Sequence, residues 1–124
     1  MKKLLSIFLI LFTLKAAAQT DLQEIYQNSL ENKNIIIDAR EVDEIRPGMV
    51  KNAKWFPLSK ISQDPNWLVD FKSLTKDKAI FLYCRSGARS GKVQDILKSH
   101  GIESTNIGGF MDLKNKLPTE PGKP

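Results

Sequence analysis

Cysteine is almost absent from this chain: Cys84 is the single one among 124 residues. A lone thiol excludes an internal disulfide framework, and it leaves no internal partner to discharge a covalent intermediate on sulfur. Histidine is as scarce, with His100 alone, so no Cys/His set exists to hold a transition metal. Aromatic residues make up 8% and do not interleave with a basic stripe, which excludes a nucleic-acid footprint despite a formal charge of +5. Lys2, Lys3 and Lys15 supply three of those charges, and residues 19–124 carry only +2. The remaining lysines are scattered, the usual pattern of a solvated face. No repeat or low-complexity tract is visible, and the length is that of one domain.

Long apolar runs are also missing, with one short exception. Leu4–Leu14, broken by Ser6 and Thr13, follows the basic Met1–Lys3 and precedes Ala16-Ala17-Ala18. Such a run falls short of the ~20 residues that span a bilayer. Residues 1–18 therefore read as a secretory signal cleaved before Gln19, which predicts an exported, periplasmic or secreted protein with no stable membrane insertion after cleavage. An uncleaved anchor is the alternative, and the absence of a cysteine at the cleavage point argues against a lipoprotein.

What the chain does have is a short apolar run ending on a reactive side chain. Ala79–Tyr83 has the composition of a strand buried on both faces, and Cys84 ends it. Arg85, Ser86, Gly87, Ala88 and Arg89 then form a small, doubly basic loop, and from Ser90 onward Val93, Ile96 and Leu97 recur at helical spacing. Loop amides and first-turn helix amides converging on one point make an anion cradle. Lowering a thiol pKa by about two units there turns a minority of thiolate at pH 7 into a majority. Gly87 fits a position needing positive φ, Ala88 keeps the rim low, and Arg85 and Arg89 are candidate forks around an oxyanion.

Cys84-Arg85-Ser86-Gly87-Ala88-Arg89-Ser90 resembles the active-site loop of rhodanese-like sulfurtransferases, C-R-S-G-x-R-S. Ile35–Leu58 is similar to the family's first signature, with Asp38, Arg40, Glu44, Gly48, Ala53 and Pro57 on pattern, and Ile107–Lys114 resembles its closing block. Met49, Asn52 and Leu113 depart from the pattern, standing where the family often has His, Gly and Trp. The resemblance implies a three-layer α/β fold with helices on both faces of the sheet, and a rhodanese-like domain over residues 19–117 followed by a flexible tail, 118–124.

For function it implies transfer of a sulfane sulfur. Cys84 would take sulfur from thiosulfate or a similar small anionic donor, with Arg85, Ser86, Gly87, Ala88, Arg89 and Ser90 binding the donor. The persulfide would pass to a thiol, cyanide or a redox protein. A non-catalytic persulfide carrier or thiol-redox module is the alternative. A cysteine phosphatase or arsenate reductase is a further one, but it wants arginine six residues after the cysteine, where this chain has Ser90.

The rest of the chain reads as scaffold. Asp21–Glu31 is an amphipathic helix with Leu22, Ile25, Tyr26 and Leu30 on one face and an Asp21/Glu24 capping box. Asn34–Asp38 is a strand bringing Asp38 and Arg40 to the ligand-binding end of a parallel sheet, as a structural ion pair or as substrate contacts. Glu41 and Glu44 are expected to pair with nearby cations. A short strand near Trp55 and Phe56, a helix carrying Trp67, Leu68, Phe71 and Leu74, a strand over 105–107, a Gly108-Gly109 turn and a helix over 110–117 complete an α/β chain with a largely parallel sheet. Gly101 caps the helix that begins near Ser90, which puts His100 roughly 15 Å from Cys84 and outside any catalytic role.

Overall fold

A computed structural model describes residues 22–124. The expected signal, residues 1–18, and the Asp21 half of the first capping box lie outside the described residues. Among those described, no helix is long and apolar enough to cross a membrane.

Four parallel strands form the central sheet: β1 (Asn34–Asp38), β3 (Lys54–Trp55), β4 (Ala79–Cys84) and β5 (Thr105–Gly109), in the order β3-β1-β4-β5. β1 and β4 run side by side from Asn34↔Ala79 to Asp38↔Tyr83, so Asp38 and Cys84 come to the same carboxyl edge. Between the polar ends of β1, Ile35–Ile37 is apolar, as is Ile80–Tyr83 of β4, because both faces of the sheet are covered there. Ile35, Ile37, Ile80, Leu82 and Cys84 face one core, completed by Phe71 of α4 (Trp67–Thr75) and by Val93 and Leu97 of α5 (Ala88–Ser99). Ile36 and Tyr83 face the other, against Ile25 and Tyr26 of α1 (Leu22–Leu30) and Leu113 of α6 (Phe110–Leu113). The result is the expected three-layer α/β arrangement.

The best-matched elements are those with unbroken apolar patterns: β1 has the expected bounds, and α4 begins at Trp67. Gly101, at φ +75, closes α5 as expected, with its N–H on the Lys98 carbonyl and the Ile102 N–H on that of Leu97. His100 lies edge-on to Trp67 at 5.4 Å.

Several expectations are corrected. α5 starts at Ala88, two residues earlier than the hydrophobic spacing implies, because Gly87 takes φ +104 and turns the chain straight into the helix. Leu30 is 47% exposed, and the small Ser29 occupies the buried position beside it, its hydroxyl donating to the Tyr26 carbonyl. A short helix α3 (Leu58–Gln63) follows Pro57, and two-residue β2 (Met49–Val50) precedes β3. Gly108 and Gly109 end β5 and do not form a separate turn, and α6 stops at Leu113. The segment expected to be a flexible tail forms β6 (Thr119–Glu120), antiparallel to β2, and a Cβ on Gly122 would lie 2.0 Å from the Ile45 carbonyl oxygen. The apolar signal there is too short to read, and the docking depends on backbone pairing.

Candidate active site

β4 carries Cys84 to the sheet edge, and the chain reverses through Arg85-Ser86-Gly87 into α5. Cys84 is 1% exposed. Its sulfur accepts the Gly87 N–H at 3.1 Å and the Ser90 hydroxyl at 3.3 Å, with the Ser90 and Ser86 N–H groups also directed at it. Burial pushes the thiol pKa up. The Ser90 hydroxyl and the Ser90, Gly87 and Ser86 amides outweigh it, and the net displacement is below the ordinary thiol value. Such a sulfur is held toward thiolate chiefly by neutral dipoles, and at longer range it shares a charge interaction with Arg89.

Sulfur, Ser90 and one further residue form a network. Ser90 is fully buried, and its oxygen lies 2.8 Å from Asn106 Oδ1 and 3.2 Å from the Gly87 carbonyl oxygen as well as near the sulfur. Asn106 in turn donates through Nδ2 to the Gly87 carbonyl at 2.9 Å and accepts the Gly108 N–H at 3.0 Å. The β4–β5 register explains its reach. Leu82 opposes Asn106 but Cys84 opposes Gly109, so one extra residue on β5 bulges the strand beside Cys84. Gly109 completes the seat, since a Cβ there would lie 2.3 Å from the Arg85 carbonyl oxygen. Sequence reading missed Asn106. A polar residue in a short edge strand, just before two glycines, is the only signal it leaves.

The two loop arginines part ways. Arg85, Ser86 and Ala88 are exposed on the rim, and Arg85 keeps its guanidinium free of protein partners among the described residues. Arg89 instead turns its fork to Glu44, with Nη2 on Oε2 at 2.7 Å and Nη1 on Oε1. The Arg89 hydrogen bonds hold the Glu44 carboxyl down at about 2, well below its usual range, and Glu44 raises the Arg89 pKa in return. Arg89, expected as a second oxyanion fork, is thus a clamp between α5 and α2 (Val42–Ile45). Its position explains why: as the second residue of the helix, it turns its fork to α2 and Glu44.

Asp38 and Arg40 form a closed staple. Arg40 donates through Nη2 to Asp38 Oδ2 at 2.8 Å and to the Gly48 carbonyl at 2.7 Å, and through Nη1 to the Glu44 carbonyl at 3.1 Å. Asp38 is 0% and Arg40 4% exposed, and the guanidinium lies 4.1 Å from the Phe110 ring centre. With its donors directed at protein acceptors, Arg40 anchors α2, and through Glu44 it steadies Arg89. Glu41 engages the Ser59 hydroxyl and caps α2 in a box with Glu44, where a cation partner was expected.

Comparison with known proteins agrees with this architecture. The profile of the rhodanese-like domain matches residues 21–116. "Uncharacterized protein YqhL" of Bacillus subtilis is 33% identical over 84 residues, covering 66% of this chain and 62% of that protein. A "Putative thiosulfate sulfurtransferase, mitochondrial" of Schizosaccharomyces pombe is 28% identical, covering 73% of this chain and 70% of that one. A "tRNA uridine(34) hydroxylase" of Onion yellows phytoplasma is 35% identical over 81 residues, which are only 26% of its length, so the chain spans well under two thirds of some relatives it matches. Among solved structures, a rhodanese-like domain protein from Staphylococcus aureus superposes with a TM-score of 0.56 at 32% identity, covering 72% of this chain and 83% of that one. With the Cys84 loop at the edge of this sheet and the domain profile matching residues 21–116, the chain belongs to the rhodanese-like domain family.

Proposed function

We propose that the protein is a sulfurtransferase that carries sulfane sulfur on Cys84. The observation behind this reading is the sulfur itself, ringed by the Gly87 and Ser90 donors with its pKa displaced downward. The thiolate attacks the outer sulfur of thiosulfate, the S–S bond of the donor breaks, and sulfite leaves with the electron pair. The amides that held the thiolate then hold the terminal sulfur of the persulfide. Arg85, exposed and unpaired among the described residues, meets the sulfonate end, and Ser86 stands beside it on the rim. An acceptor thiolate or cyanide attacks the terminal sulfur, the persulfide S–S bond breaks, and Cys84 returns as thiolate. Neither half-reaction calls for a metal or an external reductant.

Phosphoryl or arsenate chemistry wants an arginine where this chain has Ser90, and the neighbouring Arg89 is engaged by Glu44, which supports the sulfur reading over it. The leader-like residues 1–18 support export. With thiosulfate and cyanide, the purified protein is expected to form thiocyanate, and Cys84→Ser to form none. Turnover by the serine variant at the parent rate would remove Cys84 from the mechanism. A carrier would load one sulfur and show negligible turnover on small acceptors.

A further inference from the structure

We infer that the face between the Cys84 loop and α6 is the docking site for an acidic, cysteine-bearing segment of an acceptor protein. The inference rests on the sulfurtransferase reading above and names the acceptor's chemistry. A groove of about 340 Å³ opens here. Pro47, Phe110 and Met111 give it an apolar lining, and Arg85 and Lys114 stand at its edge. Both walls are tied to the nucleophile. Arg85 follows Cys84 directly, and Gly109, seated against the Arg85 carbonyl, precedes Phe110.

Charge identifies the occupant. The groove's other ionic side chains are neutralised within the fold, Arg40 by Asp38 and Glu44 by Arg89. On α6 and just beyond it, Asp112 is engaged by Lys116. Among the described residues Arg85 and Lys114 have no carboxylate partner, so the groove presents two uncompensated cations. Met111 is 56% exposed, and of the three large apolar side chains that the described residues expose it alone borders the nucleophile's loop. Thiosulfate and cyanide are held by the loop and need neither Met111 nor Lys114. An apolar floor with unpaired cations at its rim matches an extended segment in which a cysteine is flanked by an apolar residue and carboxylates.

The test uses the purified full chain and two cysteine peptides of equal length, one with leucine and glutamates around the cysteine, the other with lysines in place of the glutamates. Binding is read by fluorescence anisotropy on Cys→Ser versions, which needs no sulfur on Cys84. The acidic peptide is expected to bind at least about tenfold more tightly than the basic one, with the preference shrinking several-fold at high salt. Met111→Asp with Lys114→Glu, both exposed positions, is expected to weaken acidic-peptide binding at least about tenfold while discharge to cyanide stays within about twofold. In the transfer arm the peptide thiolate attacks the terminal persulfide sulfur, so the peptide gains one sulfur and Cys84 returns as thiolate.

Equal binding of the two peptides, or a double variant that binds as the parent does, overturns the assignment. Tight binding with no sulfur passed to the peptide cysteine overturns the acceptor role. A small anionic thiol that discharges Cys84 as fast and is slowed as much by the double variant overturns the choice of a protein segment. A Cys84 that never gains sulfur from thiosulfate, seen separately by intact mass, fails the sulfurtransferase reading and leaves the binding result to judge the surface.

Discussion

Removing the Ser90 hydroxyl isolates a side-chain dipole that supports the Cys84 thiolate. In Ser90→Ala the sulfur keeps the Gly87 N–H at 3.1 Å and loses the hydroxyl at 3.3 Å. A hydrogen bond to a charged acceptor contributes about 1.5–3 kcal/mol, and this one belongs at the low end. It is long, and Asn106 Oδ1, at 2.8 Å, competes for the same proton. About 1.4 kcal/mol corresponds to about one pKa unit, so the Cys84 titration is expected to move up by about that much. Because the folded pKa lies below the ordinary thiol value, the stabilisation of the folded state by the thiolate is present at high pH and declines as pH falls through the folded pKa. The decline starts at the unfolded thiol's pKa in both proteins, and in the variant it is smaller and ends at higher pH. The assay is the pH dependence of iodoacetamide alkylation, checked by thiolate absorbance, with Cys84→Ser as blank. A midpoint unchanged within about 0.2 unit would refute the idea that Ser90 holds the charge, and would leave the backbone amides as the whole cradle.

Other perturbations test the scaffold. Gly109→Ala forces a Cβ against the Arg85 carbonyl, and is expected to cost about 2–3 kcal/mol by thermal unfolding and to lower transfer activity more than stability alone explains. Normal activity would show that the loop can move away cheaply. Glu44→Gln breaks a clamp whose side chains are about 30% exposed, so the loss after solvent screening is about 0.5–1 kcal/mol, or about 3–6 °C in Tm. In the parent the clamp is complete above the ordinary carboxyl range and fails only as pH falls through about 2, so the two proteins should differ at pH 5–7 and converge in strong acid. A constant difference down to the lowest pH would assign the effect elsewhere. Gly122→Ala is expected to release the C-terminal strand, seen as faster proteolysis after Pro118, since a Cβ there meets the Ile45 carbonyl. Cleavage at the parent rate would contradict the docking.

The legible parts of this fold were those where chemistry repeats along the chain. Buried parallel strands leave runs such as Ile35–Ile37 and Ala79–Tyr83, and a nucleophile at a strand end followed by small and basic residues announces a strand-loop-helix cradle. The opaque parts depend on partners distant in sequence. Arg89 looks like a second anion fork until Glu44, 45 residues upstream, is seen to occupy it. Asn106 looks like an ordinary edge-strand residue until the bulge in β5 brings it beside Ser90. β6 is two residues of no marked propensity that pair because β2 offers an open edge. Leu30 and Ser29 show the limit of helical spacing in a short helix, where a small rotation exchanges which neighbour is covered.

The claim beneath all of this is that Cys84 is an activated sulfur acceptor, and intact mass spectrometry after exposure to thiosulfate reads it directly. The account predicts a gain of one sulfur atom, mapped to the peptide containing Cys84, removed by cyanide and absent from Cys84→Ser. No gain under conditions where the thiol is alkylated readily, or an equal gain in the serine variant, would contradict it.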